Sequence, residues 1–119
     1  MARVLLAEDD VSMLHLLRIL LTMEGHEVSV LDLGAELLPA VRAVAPDVLI
    51  MDVHLAGKSG MEMLRDLREQ EDLRRTAIIM SSGMDLEAET RAAGADAFLL
   101  KPYMPDDLIR LVDQYAPQG

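Results

Sequence analysis

Strict alternation constrains this chain more than any other feature. Short apolar runs at residues 4–7, 28–31, 48–51, 77–80 and 97–100 are each followed by a stretch carrying helix signals. A strand–helix–strand repeat needs crossover connections, so the strands are expected to lie parallel with helices on both faces. The runs VLLA, VLIM and AIIM are apolar at every position, which marks strands buried on both faces, whereas HEVSVLD alternates as a half-exposed edge should. The helices are expected at about residues 11–24, ended by Gly25; at about 35–44, stopping before Pro46; from near Gly60, with Met61, Leu64 and Leu67 on one face; at about 85–93, ended by Gly94; and from Pro105 onward, with Leu108, Leu111, Val112 and Tyr115. The fourth is poor in large apolar side chains and is expected to be the least firmly packed. This pattern is a doubly wound α/β fold around a five-stranded parallel sheet, whose binding sites lie beyond the carboxyl ends of the strands at the switch point.

Composition narrows the partners. The 119 residues suit a single domain, 1–119, with a polar tail from about residue 116. Asp and Glu outnumber Lys and Arg by 21 to 11, and the resulting charge of -10 would repel a phosphate backbone. Direct nucleic-acid binding by this chain is therefore not expected. There is no cysteine, which excludes disulfides and thiolate metal sites, and no segment is long and apolar enough to span a bilayer. A cytoplasmic protein is the expectation.

The chemistry is to be sought at the strand ends. Glu8 and Asp9 follow the first run, Asp52 ends the third, Ser81 the fourth and Lys101 the fifth, so parallel strands gather all five at one edge. Singly, each has an ordinary explanation: Asp9 or Asp10 as a helix N-cap, with Asp10 the expected cap, Asp52 as a loop residue, Ser81 and Ser82 as turn residues, Lys101 as a solvated charge. Together they change the balance. Two carboxylates about 4 Å apart repel by roughly 4 kcal/mol at an effective dielectric of about 20, so three need positive charge among them. Lys101 supplies one charge, and Mg²⁺, which takes one or two carboxylates, retained waters and a phosphate oxygen, would supply the rest. Such a cation would also let a carboxylate attack an anionic phosphoryl group.

At these residues the chain closely resembles the receiver domains of bacterial response regulators, of which the chemotaxis regulator is the best-known type. The resemblance rests on LLAEDD, LIMDVHLAGKSG, IIMSS and GADAFLLKPY, and it covers essentially the whole chain. It implies a flavodoxin-like (βα)5 fold with strand order 2-1-3-4-5. It implies that Asp52 is phosphorylated from a phospho-His donor, a histidine kinase or a histidine phosphotransfer protein, in a two-component phosphorelay. Asp9 and Asp52 would ligate Mg²⁺, Glu8 directly or through water, and the His54 backbone carbonyl would add a ligand. Lys101 would pair with Asp52 and then with the phosphoryl group, Ser81 would turn to it, and Phe98 would reorient in step. The Lys101–Pro102 bond matches one that is cis in the family. Such a domain catalyses its own phosphorylation and dephosphorylation without being a conventional multiple-turnover enzyme, and is a monomer or a weak phosphorylation-dependent dimer. Two departures stand out: Glu8 stands where Asp is also common, and Leu55 and Ala56 are expected to loosen the loop after Asp52. Side chains at His54 and Gly83 bear on the phosphoryl lifetime.

Other folds and chemistries fit these residues less well. A haloacid-dehalogenase-type phosphatase would carry its second Asp two residues after the first-strand nucleophile, and here the acidic pair is adjacent. A flavodoxin would need a phosphate cradle where Glu8, Asp9 and Asp10 would repel phosphate. Within the receiver reading, a stand-alone regulator is favoured, and a receiver excised from a longer regulator or hybrid kinase is the alternative. Partner contacts are expected at Met13 and Leu16, which stand where the family resemblance implies partner-contacting positions on a first helix that is apolar nearly all round, with a polar stripe of His15, Arg18 and Thr22, and at Pro102. Phosphorylation is expected to be read out on the face of the fourth helix, fifth strand and fifth helix, through Ser81 and Phe98.

Overall fold

The computed structural model describes residues 1–117. Its elements run β1 (Arg3–Ala7), α1 (Val11–Met23), β2 (Glu27–Val30), α2 (Leu37–Val44), β3 (Val48–Asp52), α3 (Gly60–Glu69), β4 (Ala77–Ser82), α4 (Glu87–Ala92), β5 (Ala97–Leu100) and α5 (Pro105–Tyr115). The strands form one sheet in the order β2-β1-β3-β4-β5, every neighbouring pair parallel. The three wholly apolar runs are the central strands. Every residue of β3 and β4 is buried, while β2, at the edge, has none buried.

Strand alternation divides the core in two. Leu5, Ala7, Leu49, Met51, Ile78 and Met80 face α2 and α3, meeting Leu37, Val41, Leu64 and Leu67. Val4, Leu6, Val48, Ile50, Ala77 and Ile79 face α1 and α5, meeting Leu17, Leu21, Leu108 and Val112. Full burial of each such Leu, Ile or Val contributes about 1.5–3 kcal/mol, which fixes the register and hence the position of every strand end.

Helix starts differ from the sequence pattern where side chains compete for the backbone. Asp10 caps α1, accepting from the Met13 N–H at 3.1 Å, as expected. α2 begins at Leu37, two residues late, because the Asp32 carboxylate accepts the Gly34 N–H and its carbonyl accepts the Ala35 N–H, holding that stretch in a turn. α4 has only six residues, and Leu86 gives it no side-chain cap. Thr90 is its one buried residue, its hydroxyl donating back to the Leu86 carbonyl at 2.8 Å. No helix among the described residues is long and apolar enough to cross a membrane.

Candidate phosphoacceptor and cation site

The period of two that builds the core also builds the site. Two residues beyond Leu6, Ile50, Ile79 and Leu99, all in the α1/α5 half of the core, stand Glu8, Asp52, Ser81 and Lys101. Asp52 is the register partner of Ser81, and both are buried. Asp9 leaves the strand direction and is exposed.

Lys101 sits at the centre of the charge. Its Nζ donates to Asp52 Oδ2 at 2.5 Å and to Glu8 Oε2 at 2.9 Å. Burial alone would lower the pKa of this ammonium group, but the hydrogen bonds to Asp52 and Glu8 and their charges outweigh it and raise the pKa above its ordinary value. Tyr103 nearby is pushed up to about 12 by burial, with Lys101 pulling it down and the two carboxylates pushing it up. Asp52 Oδ1 accepts the His54 N–H at 3.0 Å. Glu8 Oε1 accepts two backbone N–H groups, of Asp9 and Asp10, at 3.1 Å each. Asp9 Oδ2 accepts the Ala56 N–H at 3.0 Å.

Glu8, Asp9 and Asp52 each place one carboxylate oxygen within 4.8 Å of the other two. One ammonium against three carboxylates leaves the cluster short of positive charge. The donor set is all oxygen, which suits a hard divalent cation.

The loop after Asp52 is tied down, contrary to the expected loosening. His54–Leu55 pairs with Lys58–Ser59 in a two-residue hairpin, and Leu55 is fully buried. Its turn residues, Ala56 at φ 46° and Gly57 at φ 84°, are both left-handed. For Ala56 that conformation costs roughly 1–2 kcal/mol, offset by the bond to Asp9 and by Lys58, whose Nζ donates to the Leu33 carbonyl at 2.7 Å. Gly60 was legible only as a helix start. A Cβ there would lie 2.3 Å from the Asp52 carbonyl oxygen, so glycine lets α3 begin directly against the backbone of Asp52 and Val53. Its place just before the Met61, Leu64, Leu67 face was the available signal.

The remaining candidates are placed as follows. Phe98 is partly buried and pairs with Met80, one step before Ser81, which pairs with Leu99. Ser82, the other hydroxyl, accepts the Met84 N–H. Lys101–Pro102 is cis and Pro102 is exposed. Leu16 is 43 % exposed, but Met13 packs partly buried against the α1/α5 core, so the outer apolar stripe of α1 is Val11, Leu16, Ile19 and Met23 instead.

Comparison with known proteins agrees with this geometry. Residues 4–113 match the response regulator receiver domain family. The chain is 30% identical over 112 residues to the DNA-binding response regulator MtrA of Mycobacterium tuberculosis, covering 92% of this chain and 48% of the relative. It is 34% identical over 110 residues to the cell cycle transcriptional regulator CtrA of Caulobacter vibrioides, covering 90% and 47%. The chain thus spans about half the length of the curated relatives it matches. Among solved structures, the chemotaxis response regulator CheY4 of Vibrio cholerae superposes with a TM-score of 0.85 at 29% identity, covering 97% of this chain and 98% of that one.

Proposed function

This chain belongs to the response regulator receiver domain family of two-component signalling, and on that premise we propose that Asp52 accepts a phosphoryl group from a phospho-His donor on a histidine kinase or histidine phosphotransfer protein. The observation that carries the proposal is the Lys101 ammonium bridging Asp52 and Glu8 at the strand ends, beside a third carboxylate, Asp9.

Asp52 holds its attacking oxygens in place through the His54 N–H and Lys101. As an oxygen of Asp52 bonds to phosphorus, the bond from phosphorus to the imidazole nitrogen breaks and its electron pair stays on nitrogen. Lys101 then has a phosphoryl oxygen to pair with in place of the Asp52 oxygen. The Ser81 hydroxyl, on the neighbouring strand, donates to another. Mg²⁺, held by Asp9 and Asp52 with the His54 carbonyl and Glu8 as further candidates, would neutralise charge on both anionic reactants when bound. Water attacking the same phosphorus regenerates the carboxylate, so the domain catalyses both its loading and its clearing.

Readout is assigned to α4, β5 and α5. The phosphoryl group draws Ser81 inward, and the space behind it favours a more buried Phe98, a ring with no hydroxyl to leave unsatisfied. α4, short and uncapped, is the element cheap enough to shift. Amide NMR shifts on adding beryllofluoride should spread to Phe98 and α4 in the parent and stay near Asp52 in Ser81→Ala. Equal distant shifts in both would rule out this route. Docking of the donor falls to the exposed Leu16 and Pro102. A second reading, a receiver that is one part of a longer regulator, is favoured by the half-length match to MtrA and CtrA.

The test is incubation with Mg²⁺ and acetyl phosphate. The parent should gain one acid-stable, base-labile phosphoryl group and Asp52→Asn none; full labelling of Asp52→Asn would refute the assignment.

A further inference from the structure

We propose that Ala56 is a positioning residue: its backbone N–H, presented by a left-handed hairpin turn, holds the exposed Asp9 carboxylate where a cation meets it. The proposal rests on the phosphoacceptor reading and adds to it a residue with no chemistry in its side chain. Glu8 accepts two N–H groups and Lys101, and Asp52 accepts the His54 N–H and Lys101. Asp9 has much less to hold it. It is exposed, and among the described residues the one hydrogen bond to its side chain comes from the Ala56 N–H, on Oδ2 at 3.0 Å. Without that bond an exposed Asp side chain moves among its staggered rotamers, and ordering it would be charged against cation binding.

The hairpin is built to supply the N–H. Leu55 pairs with Lys58, which turns the N–H groups on either side of Leu55, those of His54 and Ala56, away from the partner strand. One holds Asp52 Oδ1 and the other Asp9 Oδ2, so a single short strand sets two carboxylates from distant parts of the chain beside each other. That strand is itself fixed, by the fully buried Leu55 and by the Lys58 bond to the Leu33 carbonyl. A two-residue turn with both residues left-handed is most easily made with Asn, Asp or Gly in first place, yet Ala56 stands there at φ 46°. Asn or Asp would bring a further side-chain acceptor beside Asp9. Proline has no N–H to give and cannot take a positive φ. Alanine keeps the donor and adds nothing that competes for it.

The test exchanges Ala56 for lactic acid in the whole chain, an amide-to-ester change that removes the N–H and keeps the methyl group. The comparison is Ala56→Gly, which keeps the N–H and relieves the left-handed strain. Folding is checked by urea denaturation and the hairpin by the Lys58 amide NMR shift. Mg²⁺ affinity is measured calorimetrically, and acetyl phosphate labelling is timed over a range of Mg²⁺ concentrations. The ester should weaken Mg²⁺ about tenfold, the scale expected when the group orienting a ligand is lost, and Ala56→Gly no more than about twofold. In labelling, the ester should raise the half-saturating Mg²⁺ by the same factor and change the rate at saturating Mg²⁺ by less than about twofold. With the hairpin unaltered, Asp9→Ala should speed hydrogen exchange of the Ala56 amide at least about tenfold. Parental Mg²⁺ affinity in the ester, a loss in Ala56→Gly equal to that of the ester, or unchanged Ala56 exchange in Asp9→Ala each overturns the proposal and leaves Asp52 as phosphoacceptor intact. A parent chain that binds no Mg²⁺ overturns both.

Discussion

Among the described residues, the partly buried lysine and arginine side chains are Arg68 and Lys101, and their surroundings differ in one respect. Near the amino-terminal end of β4, Arg68 Nη2 pairs with Asp96 at 2.8 Å, Nε donates to the Gly94 carbonyl, and Nη1 to the Thr76 carbonyl, with Leu73 and Arg74 at longer range. Asp96 in turn accepts the Ile78 N–H. One positive charge meets one negative charge, and the planar guanidinium has its donors used. At the other end of the sheet, Lys101 meets two carboxylates with a third beside them. The first cluster is closed and joins α3, β4 and the α4–β5 connection. The second is left short of positive charge. A balanced pair with its donors used ties elements together and is costly to break, whereas an under-compensated one leaves room for a ligand that brings charge.

That contrast can be broken most forcefully at Arg68. Arg68→Met leaves Asp96 and several carbonyls without their donor and should cost roughly 2–3 kcal/mol in urea denaturation, with the folded fraction still labelled at Asp52. A change under about 0.5 kcal/mol would mean the closed cluster does not stabilise the fold.

Asp9→Ala is the converse. It removes repulsion at the cost of one bond to Ala56, and should leave the metal-free chain as stable or up to about 1 kcal/mol more stable while abolishing measurable Mg²⁺ binding. Destabilisation by more than about 1 kcal/mol would place Asp9 among the structural groups.

The smallest effect is on pH. Lys101 and Tyr103 both hold their protons more tightly in the fold than their ordinary values of 10.5 and 10.0. Their contribution to stability is therefore fully present below about pH 10 and is lost as the pH rises, through about 12 for Tyr103. The alkaline fall in melting temperature should be shallower in Tyr103→Phe than in the parent. Parallel profiles for the two would remove Tyr103 from the account.

What could be read without coordinates followed from periodicity. Leu6, Ile50, Ile79 and Leu99 continue by steps of two into Glu8, Asp52, Ser81 and Lys101, so strand ends and site residues came from one pattern. What could not be read depended on tertiary approach or on local competition for the backbone. The turn at Asp32 delayed α2, and α4 shrank because its stretch buries only Thr90. The closeness of Gly60 to Asp52 exists only once α3 is docked, and Leu55 looked like a loosening substitution until the hairpin buried it. Met13 and Leu16 both stand at positions that the family resemblance marks for partner contact, and only packing separates them.

The central claim is that the under-compensated cluster exists to load one carboxylate, Asp52. Borohydride reduction of the acetyl phosphate-treated chain, followed by peptide mass spectrometry, reads that carboxylate directly, since an acyl phosphate is reduced to an alcohol where a free carboxylate is not. Reduction at position 52 alone, dependent on Mg²⁺ and absent with chelator, is the predicted result. Reduction at Asp9 or Glu8, or equal reduction at Asp52 with the cation removed, would contradict it.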